Sequence, residues 1–200
     1  MSAASDHQFS PSPAPLAVKF VIAGGFGVGK TTFVGSVSEI TPLRTEGAMT
    51  EAGMAHDDGR LVEGKETTTV AMDFGRITID NGLLMYLFGT PGQERFGFMW
   101  DDIVRGALGA LVLVDTRRLD ECYRAIDYFE ERDIPFIVVL NQFDTRHRPD
   151  PDAVRYALNI DQDIPLVTCD ARVRESARDA LLVLLRYLLS RLDRRLAAAS

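Results

Sequence analysis

The run Gly24-Gly25-Phe26-Gly27-Val28-Gly29-Lys30-Thr31-Thr32 follows a short apolar stretch and fits the form GxxxxGK[ST]. Each residue type in it has a task around a polyphosphate. Glycines let the chain curl tightly, so that backbone N–H groups converge on phosphate oxygens. The helix that opens at the end of the run adds its positive N-terminal end. Lys30 is placed to meet the outer phosphates, and the Thr31 hydroxyl is placed to ligate the magnesium that travels with them. Thr32 continues the same turn. An ordinary glycine-rich strand-to-helix turn would explain one or two of these positions but not the whole run, so the motif marks a nucleotide binder. Other chemistry-bearing residues are sparse. Cys122 and Cys169 form no CxxC pair and are read as reduced packing residues of a cytosolic protein. His56 has no second histidine or cysteine nearby, and both it and His7 in the polar leader are read as solvated.

The elements that must position this loop are those of one compact domain. The chain has 200 residues, 46% of them apolar, and a formal net charge of −7, which argues against nucleic acid or an anionic membrane as partner and for protein partners. No stretch approaches the roughly 20 uninterrupted apolar residues of a membrane span, so no direct membrane insertion is expected. Residues 1–16 are polar and proline-punctuated and are read as a disordered leader; residues 17–196 are read as the domain. Ala17–Ala23 reads as a buried strand and Thr32–Ile40 as a helix. Residues 41–66 then lose periodicity and read as a long, functional connection. Val70–Ile79 and Leu83–Phe88, joined by Asp80-Asn81-Gly82, read as a hairpin. Further strands are expected at Ala110–Val114, Pro135–Leu140 and Pro165–Thr168, with helices near Gln93–Arg105, Leu119–Arg132, Pro151–Leu158 and Val173–Leu196. In the last helix Ala177, Leu181, Leu184, Leu185, Leu188 and Leu192 share a face expected to pack on the core. The pattern predicts an α/β P-loop fold: a mostly parallel six-stranded sheet, helices on both faces and one antiparallel edge hairpin. Ligands bind such sheets at the strands' carboxyl ends.

Three further signals fall in loops at those ends: Thr90-Pro91-Gly92-Gln93-Glu94-Arg95-Phe96, Asn141-Gln142-Phe143-Asp144 and Thr168-Cys169-Asp170-Ala171-Arg172. Singly each is weak. In this order, with the phosphate loop, residues 17 to about 192 resemble the Ras-like small GTPases, and Arg105-Gly106-Ala107 is similar to the Rab and Arf pattern. The phrases GGFGVGKTT, TTTVAMDFG, FGTPGQERF and LVDTRRL resemble the conservon-type (CvnD-like) GTPases most, and the polarity GTPases of the MglA type more distantly.

The resemblance implies a small G domain that holds GTP or GDP with Mg2+, and it implies roles for single residues. A carboxylate at Asp144 accepts from both N1–H and the exocyclic amine of guanine, which favours GTP over ATP. Asn141 steadies that loop, Gln142 stands where the family has a lysine, Ala171 offers its backbone N–H to the base, and Arg172 stacks on it. Gln93 takes the position of the glutamine that orients the attacking water, and Gly92 lets a backbone N–H reach the γ-phosphate. Thr69 matches the magnesium-binding threonine of the first switch, with Thr67 and Thr68 as neighbouring alternatives.

Two departures bear on mechanism. Gly89 replaces the usual aspartate before TxGQ, and Asp73 is expected to supply the missing magnesium carboxylate from the neighbouring strand. A two-residue hairpin turn would set Asp73 opposite Thr90, one step from Gly89. Phe26 fills a loop position that is often glycine and would crowd an incoming arginine, so hydrolysis is expected to be slow. Arg44, Arg60 and Arg95 are each a cis arginine or simply a solvated charge. The expectation is a cytoplasmic GTP-hydrolysing switch with moving segments at 41–70 and 89–100. The alternatives are a GTP-binding scaffold with negligible turnover and, less favoured, an ATP-using P-loop protein. The resemblance also implies a roadblock-type homodimer and a sensor-kinase-linked complex as partners, with any membrane recruitment made through them. Phe96, Phe98, Met99 and Trp100 are either core packing or a nucleotide-dependent contact surface.

Overall fold

The computed structural model describes residues 15–48, 69–80, 82–143 and 150–199, with the side chains of 44–48, 69–71, 80, 94 and 95 outside that description. Seven strands form one sheet: β1 (Leu16–Ala23), β2 (Leu43–Ala48), β3 (Thr69–Asp80), β4 (Leu83–Gly89), β5 (Gly109–Val114), β6 (Phe136–Asn141) and β7 (Leu166–Cys169). Their spatial order is β2-β3-β4-β1-β5-β6-β7. The strands from β4 through β1, β5 and β6 to β7 run parallel, whereas β2 and β3 are antiparallel additions at one edge. The mostly parallel α/β class therefore stands. The seventh strand is β2, which sequence reading leaves inside the long connection because Leu43-Arg44-Thr45-Glu46-Gly47-Ala48 neither alternates nor forms an apolar run.

Helices α1 (Lys30–Val37), α2 (Trp100–Val104), α3 (Asp120–Glu131), α4 (Pro151–Leu158) and α5 (Arg174–Ala198) cover both faces. Side-chain alternation divides β1 between two cores. Phe20 and Ile22 join Phe33, Val34, Leu181 and Leu184 under α1 and α5, while Val21 and Ala23 join Trp100, Ile103 and Phe129 under α2 and α3. β5 and β6 are buried along their whole length, which is why their runs are continuously apolar. The helix expected over 93–105 is in fact a 3-10 turn at Glu94–Met99 that leads into the short α2. Gly97 lies within that turn, and the Arg124 guanidinium occupies the place of any side chain there. Leu192, expected on the core face, is 53% exposed, because α5 extends past the sheet.

Asp80 pairs with Leu83 as the hairpin predicts, but a bulge between Thr78 and Asp80 shifts the rest of the ladder by one residue. Asp73 consequently stands opposite Gly89 itself rather than Thr90. On the face toward α1, Gly75 is so close that a Cβ there would lie 2.7 Å from Val34 Cγ1. Ile77, Gly75 and Asp73 alternate onto that face, so the close packing of α1 at Gly75 carries Asp73 under the helix's first turn. β1 is flanked by β4 on one side and β5 on the other, so the chain leaves it in opposite directions. Its carboxyl end is thus the switch point at which such sheets take ligands.

Candidate nucleotide site

β1 ends at Ala23, and the glycine run folds into the loop between that switch point and α1. Gly24, Gly27 and Gly29 have φ of 133°, 72° and 104°, a region that L side chains rarely enter. Space reinforces the requirement at two of them. A Cβ on Gly24 would strike the Leu113 carbonyl, and one on Gly29 would lie 2.5 Å from Asn141 Nδ2. Val28 is buried and anchors the loop in the core, while Phe26 is 63% exposed. Lys30 opens α1 and turns back over the loop, donating to the carbonyls of Gly24 at 2.8 Å and Gly25 at 2.6 Å. Burial lowers its pKa to about 8, against the opposing attraction of Asp73 and Glu121. Thr32 follows on the exposed side of the first turn.

Below that turn Thr31 Oγ1 donates to Asp73 Oδ2 at 2.5 Å. An added Cβ on Gly89 would lie 3.1 Å from Asp73 Cβ and 3.3 Å from Asp73 Oδ2. The Asp73 carboxylate therefore occupies the space into which a side chain at position 89 would point. A hydroxyl and a carboxylate beside a phosphate loop are hard oxygen donors of the kind magnesium takes, so this pair fits the ion chemically. The side chain of Thr69 lies outside the described residues; its backbone begins β3 and pairs with Ala48.

Gly92 presses onto the same loop. A Cβ there would lie 2.7 Å from Lys30 Nζ and 2.8 Å from Phe26 Cα, so only glycine lets the chain pass this close. Gln93 is exposed and caps the 3-10 turn. A cavity of about 550 Å³ opens between Phe26, Gly92, Gln93, Trp100 and Glu121. A second cavity of the same volume lies far from the loop, between α3 and α5, where Arg191 and Arg195 pair with Asp133.

Asn141, at the end of β6, is buried and joins three segments. Its Nδ2 donates to Val28 O at 2.8 Å, and its Oδ1 accepts from Ala171 N at 3.1 Å. The Ala171 N–H expected to meet a base is thus turned to Asn141. Gln142 is half-buried, and its backbone N–H donates to Cys169 O at 2.7 Å. Arg172, expected to stack on a base, instead forms a two-pronged pair with Asp170 at 2.8 and 2.7 Å, an interaction that holds Asp170 below the usual carboxylate range. Asp144 lies outside the described residues, as do Arg60 and the side chains of Arg44 and Arg95. Burial raises the thiols of Cys122 and Cys169 to about 12 and about 11, consistent with inert packing residues.

The loop after β5, part of the LVDTRRL phrase, contributes groups to which sequence reading assigns no individual role. Asp115 is 4% exposed and binds the Arg117 guanidinium at 2.8 and 2.7 Å, while Arg117 stacks on Phe143 at 4.4 Å. Arg118 donates to the Phe26 carbonyl at 3.1 Å and to Glu121 at 2.7 Å. The available signal was a D-T-R-R run at the carboxyl end of an apolar strand.

The fold and loop define a P-loop nucleotide-binding α/β protein with the architecture of a G domain. More particularly, the chain belongs to the ATP_bind_1 family, described as conserved hypothetical ATP binding proteins, whose profile matches residues 22–191. It is 33% identical over 129 residues to the uncharacterized protein MJ1339 of Methanocaldococcus jannaschii, covering 64% of this chain and 71% of that one. It is 25% identical over 167 residues to human Ras-related protein Rab-7b, covering 78% and 74% respectively. Among solved structures it is similar to the G domain of the T. maritima FeoB iron transporter, with a TM-score of 0.60 at 17% identity over 86% of this chain and 99% of that one. The FeoB G domain of Methanococcus jannaschii gives a TM-score of 0.57 at 13% identity, over 86% and 98%. The chain thus shares the fold of these G domains and is similar in sequence to a Ras-related protein. No helix among the described residues is long and apolar enough to cross a membrane.

Proposed function

We propose that this chain is a guanine-nucleotide switch that binds GTP with Mg2+, hydrolyses it slowly to GDP and phosphate, and signals the difference to protein partners. The observation that carries the guanine reading is Asn141. Buried, and bonded to Val28 and Ala171, it fixes the start of Asn141-Gln142-Phe143-Asp144 against the phosphate loop. Asp144 then has the chemistry to accept from guanine N1–H and the exocyclic amine. Thr31 and Asp73 would hold magnesium, which supplies charge neutralisation of the phosphates. In the chemical step, water attacks the γ-phosphorus and passes a proton to a γ-phosphate oxygen, the bond to the β–γ bridging oxygen breaks, and that oxygen leaves with GDP. Gln93 orients the water through its amide. Phe26, exposed beside the loop, would obstruct an arginine entering from a partner and keeps turnover low.

Within the small-GTPase relation, the phrases GGFGVGKTT and FGTPGQERF favour the conservon type, with a roadblock-type homodimer and a sensor-kinase-linked complex as partners in the cytoplasm. A second reading, ATP as the nucleotide, is favoured by the description of the family. Competition of GTP against ATP on purified protein separates the two. GTP is expected to win, and Asp144→Asn is expected to weaken GTP by about tenfold to a thousandfold while xanthosine triphosphate gains affinity. Equal binding of ATP and GTP by the parent protein sinks the guanine reading. A single-turnover assay with no phosphate release would leave a GTP-binding scaffold instead.

A further inference from the structure

The phosphate loop is flanked on its outer side by two carboxylates, Asp115 just after β5 and Glu121 in the first turn of α3. Glu121 touches the position a Gly25 side chain would occupy, and it contributes to the attraction that opposes loss of the Lys30 proton. Asp115 is buried at the end of β5. Negative charge so near a polyphosphate site is unfavourable unless it is compensated. Arg117 covers Asp115. Arg118 lies between both acids, with Nη1 2.7 Å from Glu121 Oε1 and Nη2 3.6 Å from Asp115 Oδ2.

The same Nη2 donates to the carbonyl of Phe26 at 3.1 Å and would stand 3.7 Å from a Cβ built on Gly27. The Phe26 carbonyl and the Gly27 N–H belong to one peptide unit. In a planar trans peptide they point in opposite directions, so an arginine that draws the carbonyl outward turns the N–H away from itself. Gly27 has φ of 72°, and with no Cβ little else fixes the orientation of that peptide.

We propose that Arg118 is a positioning residue of the nucleotide site: by holding the Phe26 carbonyl outward and pairing with Glu121, it aims the Gly27 N–H at the outer phosphates and keeps the loop free of uncompensated negative charge. The inference rests on the nucleotide-binding reading above, but not on which base is bound. Arg118 donates to a carbonyl of the loop itself and acts through the loop. Its effect should therefore grow with the number of phosphates and be indifferent to the base.

The test is a titration of the full chain with guanosine mono-, di- and triphosphate and with the adenosine series, in the parent, in Arg118→Ala and in Arg118→Ala/Glu121→Gln. Arg118→Ala is expected to lose about tenfold in affinity for the di- and triphosphates. The monophosphate, the guanosine-to-adenosine ratio and the unfolding midpoint should stay nearly unchanged, since the side chain is partly exposed. The double variant is expected to remain weak, because the carbonyl still lacks its donor. Di- and triphosphate affinities within about twofold of the parent, or an equal loss along the whole ladder, would overturn the proposal. Full recovery in the double variant would overturn the aiming role in favour of charge alone. A parent that binds only the adenosine series defeats the guanine reading while Arg118 is judged on that ladder; a parent that binds neither defeats both.

Discussion

Lys30 and Asp73 carry opposite charges into the buried floor of the site, and each is held there by a single feature of the fold. Lys30 is enclosed by its own loop, and burial lowers its pKa from 10.5 to about 8. For folding, a depressed lysine value is a deficit that is fully present below about pH 8 and fades as pH rises toward 10.5. For binding the sign reverses. Phosphates favour the charged amine, so the complex takes up a proton wherever the free protein has lost one. Triphosphate affinity is expected to be flat just below about pH 8 and to fall above it by at most about tenfold per pH unit. Calorimetric titrations between roughly pH 7.5 and 9.5 measure this, and Lys30→Arg, charged throughout, should flatten the profile. A slope common to both proteins would assign the proton elsewhere. Asp73 permits a different exchange, because its carboxylate lies within 3.3 Å of a Cβ built on Gly89. Asp73→Ala is expected to raise the magnesium concentration needed for tight GTP binding by about tenfold or more. Adding Gly89→Asp to that variant would return a carboxylate to the same space from the adjacent strand and restore much of the loss. An unchanged magnesium dependence in Asp73→Ala would remove the residue from the metal site.

The elements converge on Asn141, where β6, the phosphate loop and the loop after β7 meet. Asn141→Ala would leave the Val28 carbonyl and the Ala171 N–H without their partner, a loss of about 1–3 kcal/mol in unfolding free energy. It should also loosen the phosphate loop enough to weaken every nucleotide. Chemical denaturation and nucleotide titration on the same preparation check both, and full stability with full affinity would show the tie to be dispensable. Asn141 was legible in the sequence, because NxxD after a continuous apolar strand is a local pattern. β5 and β6 were legible for the same reason. β2 was not, since its residues become a strand only through pairing with β3, a partner more than twenty residues away. The bulge between Thr78 and Asp80 escaped as well, and it moved Asp73 from beside Gly89 to directly across from it. Arg118 and Glu121 were invisible for a further reason. In a run as charged as Asp-Thr-Arg-Arg-Leu-Asp-Glu, solvation is the default expectation, and only the way this segment lies against Phe26 gives Arg118 and Glu121, both partly exposed, a contact with the phosphate loop.

At the scale of the whole molecule, the phosphate loop, Thr31 with Asp73, and Gly92 gather at one end of the sheet among the described residues, and paired charges such as Arg194 with Asp163 lie away from it. Gly92 lies against the phosphate loop at Phe26 and Lys30, so a γ-phosphate added at Lys30 would act directly on the segment that leads into the 3-10 turn and α2. Aromatic side chains along that path have divided. Phe96 and Trp100 are 6% and 5% exposed and belong to the core, whereas Phe98 is 58% exposed. With Phe26, 63% exposed on the loop itself, Phe98 offers a partner an apolar hold, and under the proposed switch the segment that carries it would move with the nucleotide. Exposed aromatics of this kind supply a large share of interface energy. A roadblock-type homodimer is expected to bind the GTP-loaded protein more tightly than the GDP-loaded one. Phe98→Ala should weaken that binding by about tenfold or more while leaving nucleotide affinity intact, because Phe98 is exposed on the 3-10 turn, outside the phosphate loop. Biolayer interferometry with each loaded form measures both effects. Equal binding of the two forms would deny the switch, and partner affinity indifferent to Phe98→Ala would move the interface to another face.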